Sequence, residues 1–165
     1  MAALTPMPTL CFAFCITMRA ADLTDQPAFS GQGDRAPDGP RIIYTRKRGN
    51  AFHQIYVMNM DGANPRNLSR RSQPHYNGNW SRGGSRIVFV SQSPWDNTTA
   101  ALYTGHAEGS GIRKITDAET GCFQPRWSSD GTRIVFRLGW GIDHVGLFVR
   151  DFDGGHLVQI TNRLK

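Results

Sequence analysis

Trp127-Ser128-Ser129-Asp130-Gly131-Thr132-Arg133-Ile134-Val135-Phe136 is the stretch on which the fold turns. A strand ends on an aromatic residue, a polar turn closes on a glycine, and a new strand begins with alternating apolar residues. The terminal glycine supplies the positive φ that a tight hairpin needs. A copy stands 47 residues earlier as Trp80-Ser81-Arg82-Gly83-Gly84-Ser85-Arg86-Ile87-Val88-Phe89. Its second half recurs 45 residues before that, as Arg41-Ile42-Ile43-Tyr44. Each copy leads to an apolar run: Ile55-Tyr56-Val57, Leu102-Tyr103 and Leu147-Phe148-Val149. Each run leads to an acidic residue and a glycine: Asp61-Gly62, Glu108-Gly109 and Asp153-Gly154. A short strand then ends at Leu68-Ser69, Ile115-Thr116 or Ile160-Thr161. A repeat of about 45 residues built from four short strands reads as a β-propeller blade. The fold class is therefore all-β, a partial β-propeller of about three four-stranded antiparallel blades. The blades span residues 41–75, 76–122 and 123–165.

The chain of 165 residues is long enough to bury a core. Its net charge of +6 is unevenly spread. Residues 1–40 hold two basic and four acidic groups, and residues 41–86 hold nine basic groups against the single acid Asp61. The remainder balances at eight of each. The excess therefore belongs to the first blade. It favours an acidic partner, although a solvated basic surface has the same composition.

Residues 1–21 have the outline of a secretory signal peptide. The apolar run Leu10-Cys11-Phe12-Ala13-Phe14-Cys15-Ile16-Thr17-Met18 is too short to span a bilayer and precedes Arg19-Ala20-Ala21-Asp22. Export to the periplasm or outside the cell is the expectation, with the cytoplasm as the alternative, and no transmembrane helix is expected. Residues 22–40, rich in Asp, Gln, Gly and Pro, read as a linker or a degenerate first inner strand, for which Pro27-Ala28-Phe29-Ser30 is the candidate. Removal of the leader would leave Cys122 alone, which rules out an intrachain disulfide and points to a packing role.

The Trp127–Phe136 stretch resembles the W-S-P-D-G-x-x-I-x-F signature of TolB-type, WD40-like propeller repeats. Ile55-Tyr56-Val57-Met58-Asn59-Met60-Asp61-Gly62 and Arg66-Asn67-Leu68-Ser69 are similar to the second half of that repeat. The resemblance covers about residues 36–165 and implies a six-bladed ring, of which this chain supplies about half. The chain is then a fragment of a longer propeller, one of two copies in a homodimer that completes the ring, or a strained solenoid of three blades. The family contains the periplasmic TolB protein and the propellers of prolyl-oligopeptidase-like hydrolases, so the resemblance leaves function open.

Antiparallel order puts the long loops after the second and fourth strands on one rim and the tight turns on the other. Binding is usually built on variable loops carried by a rigid scaffold. The long-loop rim carries Arg46, Lys47, Arg48, Phe52, Arg70, Arg71, Trp95, Trp140, Asp143 and His144 as candidate ligand-binding residues. Aromatics interspersed with charge suit a protein surface or an acidic polysaccharide, and no nucleic acid is expected. No G-x-S-x-G elbow occurs, and the five histidines lack metal-ligand spacing. Catalytic residues, metal and cofactor are accordingly expected to be none. The expected function is a non-catalytic binding or protein-interaction module. The alternative is a fragment of a propeller-containing enzyme, a prolyl-oligopeptidase-like peptidase or a polysaccharide lyase.

Overall fold

A computed structural model describes residues 30–96, 98–116, 121–139 and 146–161. The first sheet contains β1 (Ser30–Arg35), β2 (Arg41–Arg46), β3 (Gln54–Asn59) and β4 (Arg66–Asn67). The second contains β5 (His75–Trp80), β6 (Arg86–Gln92), β7 (Ala100–His106) and β8 (Arg113–Lys114). The third contains β9 (Cys122–Trp127), β10 (Arg133–Leu138), β11 (Gly146–Asp151) and β12 (Leu157–Gln159). Strands follow sequence order within every sheet, and all pairings are antiparallel. The three four-stranded antiparallel sheets are those of a partial β-propeller.

Strand alternation explains how each blade is used twice. Successive side chains point to opposite faces of a sheet. In β6, Ile87 and Phe89 face the first sheet and Val88 and Val90 face the third. The first seam packs Ile43, Ile55, Val57 and Leu68 of the first sheet against Trp80, Ile87 and Phe89 of the second. The second seam repeats this with Val88, Leu102 and Ile115 against Cys122, Ile134 and Phe136. The face toward the preceding sheet is here the near face, and the face toward the following sheet the far face. The sheets meet closely at Gly78 of β5, where a Cβ would lie 2.9 Å from Ile43 Cδ1.

The tight turns form as the glycines require. Gly84 and Gly131 have φ of +67° and +72°, and each amide closes its turn on the carbonyl of Ser81 or Ser128. The first inner strand is Ser30–Arg35, later in the chain than Pro27–Ser30. Spacing accounts for the shift. Arg35 precedes Gly39 by the interval that separates Trp80 from Gly84 and Trp127 from Gly131. Arg35, exposed, thus takes the place that tryptophan holds in the other blades.

The two tryptophans are not equivalent. Trp80 is buried, and its indole N–H donates to the Asp34 carbonyl at 3.2 Å. Its backbone N–H donates to the Asp34 carboxylate at 3.2 Å, and the Arg41 guanidinium lies 4.8 Å from its ring centroid. Trp127 is half-buried, packed with Phe152 at 6.3 Å, and its buried indole nitrogen has no hydrogen-bond partner. Trp80→Ala is expected to cost about 3–5 kcal/mol, the usual range for deleting a buried large aromatic. Trp127→Ala should cost less, since less surface leaves the core. Urea unfolding of the two variants checks the order, and equal losses would contradict this assignment of the seams.

His75 begins β5 at the position that Cys122 holds in β9, and both are fully buried. Its ring meets Phe89 edge-on at 5.1 Å, and neither nitrogen has a hydrogen-bond partner. Burial, with the Arg71 charge second, pushes its pKa down to about 4 from 6.5. The unfolded chain therefore binds more protons between those values. The neutral ring's contribution is fully present above pH 6.5 and is lost as pH falls toward 4, on the order of 3 kcal/mol. Unfolding free energies measured across pH 7 to 4 should show this slope, and His75→Phe should flatten it.

Candidate functional site

Each inner strand carries a bulge at the same place. The register with the second strand shifts between Gly31 and Asp34, between Tyr76 and Asn79, and opposite Val135 to Arg137 in the third blade. A bulge adds one residue to a strand and re-aims the side chains beside it. Asn77 and Gln124, the bulged residues of β5 and β9, have φ of 55° and 51°. Asparagine tolerates this left-handed conformation; glutamine adopts it less readily.

The residues after the bulges face one concavity of about 510 Å³ along the inner strands. Asp34 of β1, Asn79 of β5 and Arg126 of β9 line it, one from each blade, together with Asn77 and Gln124. The polar groups are partly cross-linked. Arg126 Nη1 donates to Asn79 Oδ1, and Asn79 Nδ2 donates to the Asn77 carbonyl at 3.0 Å. Asp34 is engaged by the Trp80 amide. Arg126 and Gln124 are exposed, so charge and amide remain open to a ligand. Toward the tight-turn rim the groove continues over Arg82, Trp127, Ser128 and Ser129. Toward the long-loop rim a second concavity meets it at Asn77 and is lined by Tyr76, Gln92 and Phe123.

The long loops are tied together at that mouth. Gln54 at the start of β3 donates to the Gln73 carbonyl at 2.7 Å, and its Oε1 accepts from Ser69 Oγ at 2.9 Å and the Arg71 amide at 3.1 Å. Ser91 Oγ at the end of β6 donates to Gln73 Oε1 at 3.0 Å. His53 Nδ1 lies 3.2 Å from the Tyr76 hydroxyl, with the rings 5.1 Å apart. Partial burial and then the Lys47 charge lower the His53 pKa, while burial raises that of Tyr76. The loop carrying Lys47 and Arg48 thus reaches the groove mouth through the His53–Tyr76 pair.

The ten candidates from the sequence fall into three groups. Lys47, Arg48, Phe52, Arg70, Arg71 and Trp95 lie on the long-loop rim with some or most of their surface exposed. Trp95 is 91% exposed and so caps no blade. Arg71 lies 5.3 Å over the Tyr103 ring of the neighbouring sheet, and Arg70 donates Nε to the Asn67 carbonyl at 3.1 Å. Arg46 departs from the expectation of a solvent-facing cluster. It is only 7% exposed, with its guanidinium 5.9 Å from the Tyr56 centroid. The alternation of β2 places it on the same face as Tyr44, among apolar residues. Trp140, Asp143 and His144 lie outside the described residues.

The groove lies apart from the long-loop rim expected from the sequence. Its signal was the aligned triplets Gln32-Gly33-Asp34, Asn77-Gly78-Asn79 and Gln124-Pro125-Arg126. Each has an amide first, a Gly or Pro in the middle, and a polar third residue, within strands otherwise expected to be apolar. Cys122 sits in the core with its thiol pKa raised by burial and its Sγ 3.7 Å from Thr116 Oγ1. Among the described residues no group of three His, Cys, Asp or Glu side chains is placed to hold a metal ion. Among them, too, no helix is long and apolar enough to cross a membrane.

Solved structures share this architecture. The chain superimposes on a protein assigned as TolB from Agrobacterium tumefaciens with a TM-score of 0.69 and 22% identity, over 84% of this chain and 50% of that one. TolB from Acinetobacter baumannii gives 0.63 at 19% identity, over 79% and 31%. An oligogalacturonate lyase in complex with manganese gives 0.62 at 18% identity, over 80% and 36%. No protein-family model and no curated protein matches the chain. The fold is a TolB-like β-propeller in a partial form, and the chain spans half or less of the length of these structures. Propellers of this kind include binding proteins and enzymes alike, so the fold by itself assigns neither role.

Proposed function

We propose that the chain is a non-catalytic binding module whose ligand is an extended, carboxylate-bearing polymer, an acidic protein segment or an acidic polysaccharide. The observation that carries this reading is the polar groove along the inner strands, which receives one polar side chain from each blade and meets the long-loop rim at Asn77. A groove that continues between rims suits a chain better than a compact small molecule. Arg126 offers a fixed guanidinium in the groove, and guanidinium is the side chain best matched to carboxylate. Lys47, Arg48, Arg70 and Arg71 add positive potential at the mouth, and Trp95 offers an exposed aromatic face. Asp34 keeps one negative charge in the groove while its carboxylate accepts from the Trp80 amide, so a ligand carboxylate is expected at the Arg126 side of the groove. The same reading has the chain exported, on the outline of its first 21 residues.

Polyglutamate and polygalacturonate serve as probes of the two ligand sources. Binding to one or both is expected to weaken as salt rises, because screening reduces attraction between opposite charges. Arg126→Gln should weaken binding at every salt concentration by tenfold or more, about 1.4 kcal/mol. Arg48→Glu with Arg70→Glu should chiefly flatten the salt dependence. If both charge variants bind as the parent does while Trp95→Ala abolishes binding, recognition rests on the aromatic rim and the electrostatic reading is wrong.

A further inference from the structure

The two ends of the three-sheet stack are unlike. At the first end, the near face of the first sheet is closed: Tyr44, Tyr56 and Met58 are 8%, 8% and 6% exposed. At the other end, the far face of the third sheet is open. Leu147 is 43% exposed, although its equivalents Ile55 and Leu102 are fully buried. Ile160 is 55% exposed, whereas Leu68 and Ile115 are 4%.

Register adds a second difference. Val158 pairs with Val149, as Arg66 pairs with Val57 and Arg113 with Thr104. In the second sheet this position reaches the next blade as a cation, with the Arg113 guanidinium 6.0 Å from the Phe152 centroid. In the third sheet it is a valine, 57% exposed. The far face of the third sheet therefore continues an interface already made twice within the chain, but with an apolar outer edge in place of a charged one. That face carries charge away from the apolar patch: Arg133 and Asp151 pair at its tight-turn end, and Arg137 turns toward the inner strand, its guanidinium 5.9 Å from the Phe123 ring.

We propose that this face pairs with the same face of a second copy, third sheet against third sheet, about a two-fold axis. Leu147, Val158 and Ile160 of each copy then cover one another, with the axis passing at Ile160 so that it meets the partner's Ile160. A contiguous apolar face of this kind is rarely left in water, and a two-fold contact needs one self-complementary patch only. Two sheets packed face to face with their own twist are an ordinary arrangement. A ring closed head-to-tail by two copies would instead need the near face of the first sheet, where Tyr44, Tyr56 and Met58 are already buried. A ring-closing contact would also place Val158 where the existing seam uses an arginine.

Charge complementation at Ile160 tests this on the full chain. Sedimentation should show a dimer for the parent. Ile160→Asp and Ile160→Arg, each purified alone, should be monomeric at the same concentration, with far-UV circular dichroism unchanged because the side chain is exposed. Mixing the two variants should restore the dimer, since position 160 of one copy then faces the opposite charge in the other. A monomeric parent overturns the proposal. So does a parent dimer that survives both variants, or variants that stay monomeric when mixed, the result expected of a head-to-tail contact.

Discussion

Each sheet of this protein has two apolar faces, and everything else follows from the need to cover both. An ordinary antiparallel sheet wets one face. Here Ile87 and Phe89 are buried on one side of β6 while Val88 and Val90 are buried on the other. Such a strand is stable only between two neighbours, so the blades are not independent units. The seams are sealed at their edges by arginines lying on aromatics of the next blade. Arg41 covers Trp80 at 4.8 Å, and Arg86 covers Phe152 at 4.5 Å. The guanidinium keeps access to water while its plane shields the ring. Several arginines that look like surface charge in the sequence are thus parts of the packing.

That double use explains what was legible and what was not. The blades could be read because the same face must be built three times. Arg41-Ile42-Ile43-Tyr44, Arg86-Ile87-Val88-Phe89 and Arg133-Ile134-Val135-Phe136 are three solutions to one packing problem. The turn glycines were readable because Gly84 and Gly131 occupy a conformation that side chains resist. The first inner strand was placed too early because Arg35 stands where tryptophan marks the strand end in the other blades. The burial of Arg46 was hidden for a related reason. A run of Arg46, Lys47 and Arg48 reads as a charged loop, yet β2 extends through Arg46 and its alternation turns that residue inward beside Tyr56.

The groove was missed because it depends on a departure from regular geometry. Simple alternation along β5 or β9 gives no reason for a concavity. The bulges at Asn77 and Gln124 supply it by adding a residue and re-aiming Asn79 and Arg126. A bulge leaves its mark as an anomaly of pattern, and the aligned amides at 32, 77 and 124 are that mark. Each is followed by Gly or Pro, residues that interrupt a strand cheaply or fix its direction. In a single blade such a triplet would read as an imperfect strand; only its repetition at blade spacing identifies it as a feature of the fold.

Scaffold and site therefore divide the inner strands between them. Their ends belong to the seams: His75 and Cys122 are buried at the start of β5 and β9, and Trp80 at the end of β5. Their middles, released from the ladder by the bulges, face the groove. A residue there can be Asp, Asn or Arg in successive blades because its side chain enters the groove, even where, as with Asp34 and the Trp80 amide, it also ties two blades together. The repeat thus constrains the apolar residues that hold blades together more tightly than the polar ones that face the groove. Asp34, Asn79 and Arg126 differ in charge for that reason, and their differences, rather than the repeated residues, carry what is particular about the surface this chain presents.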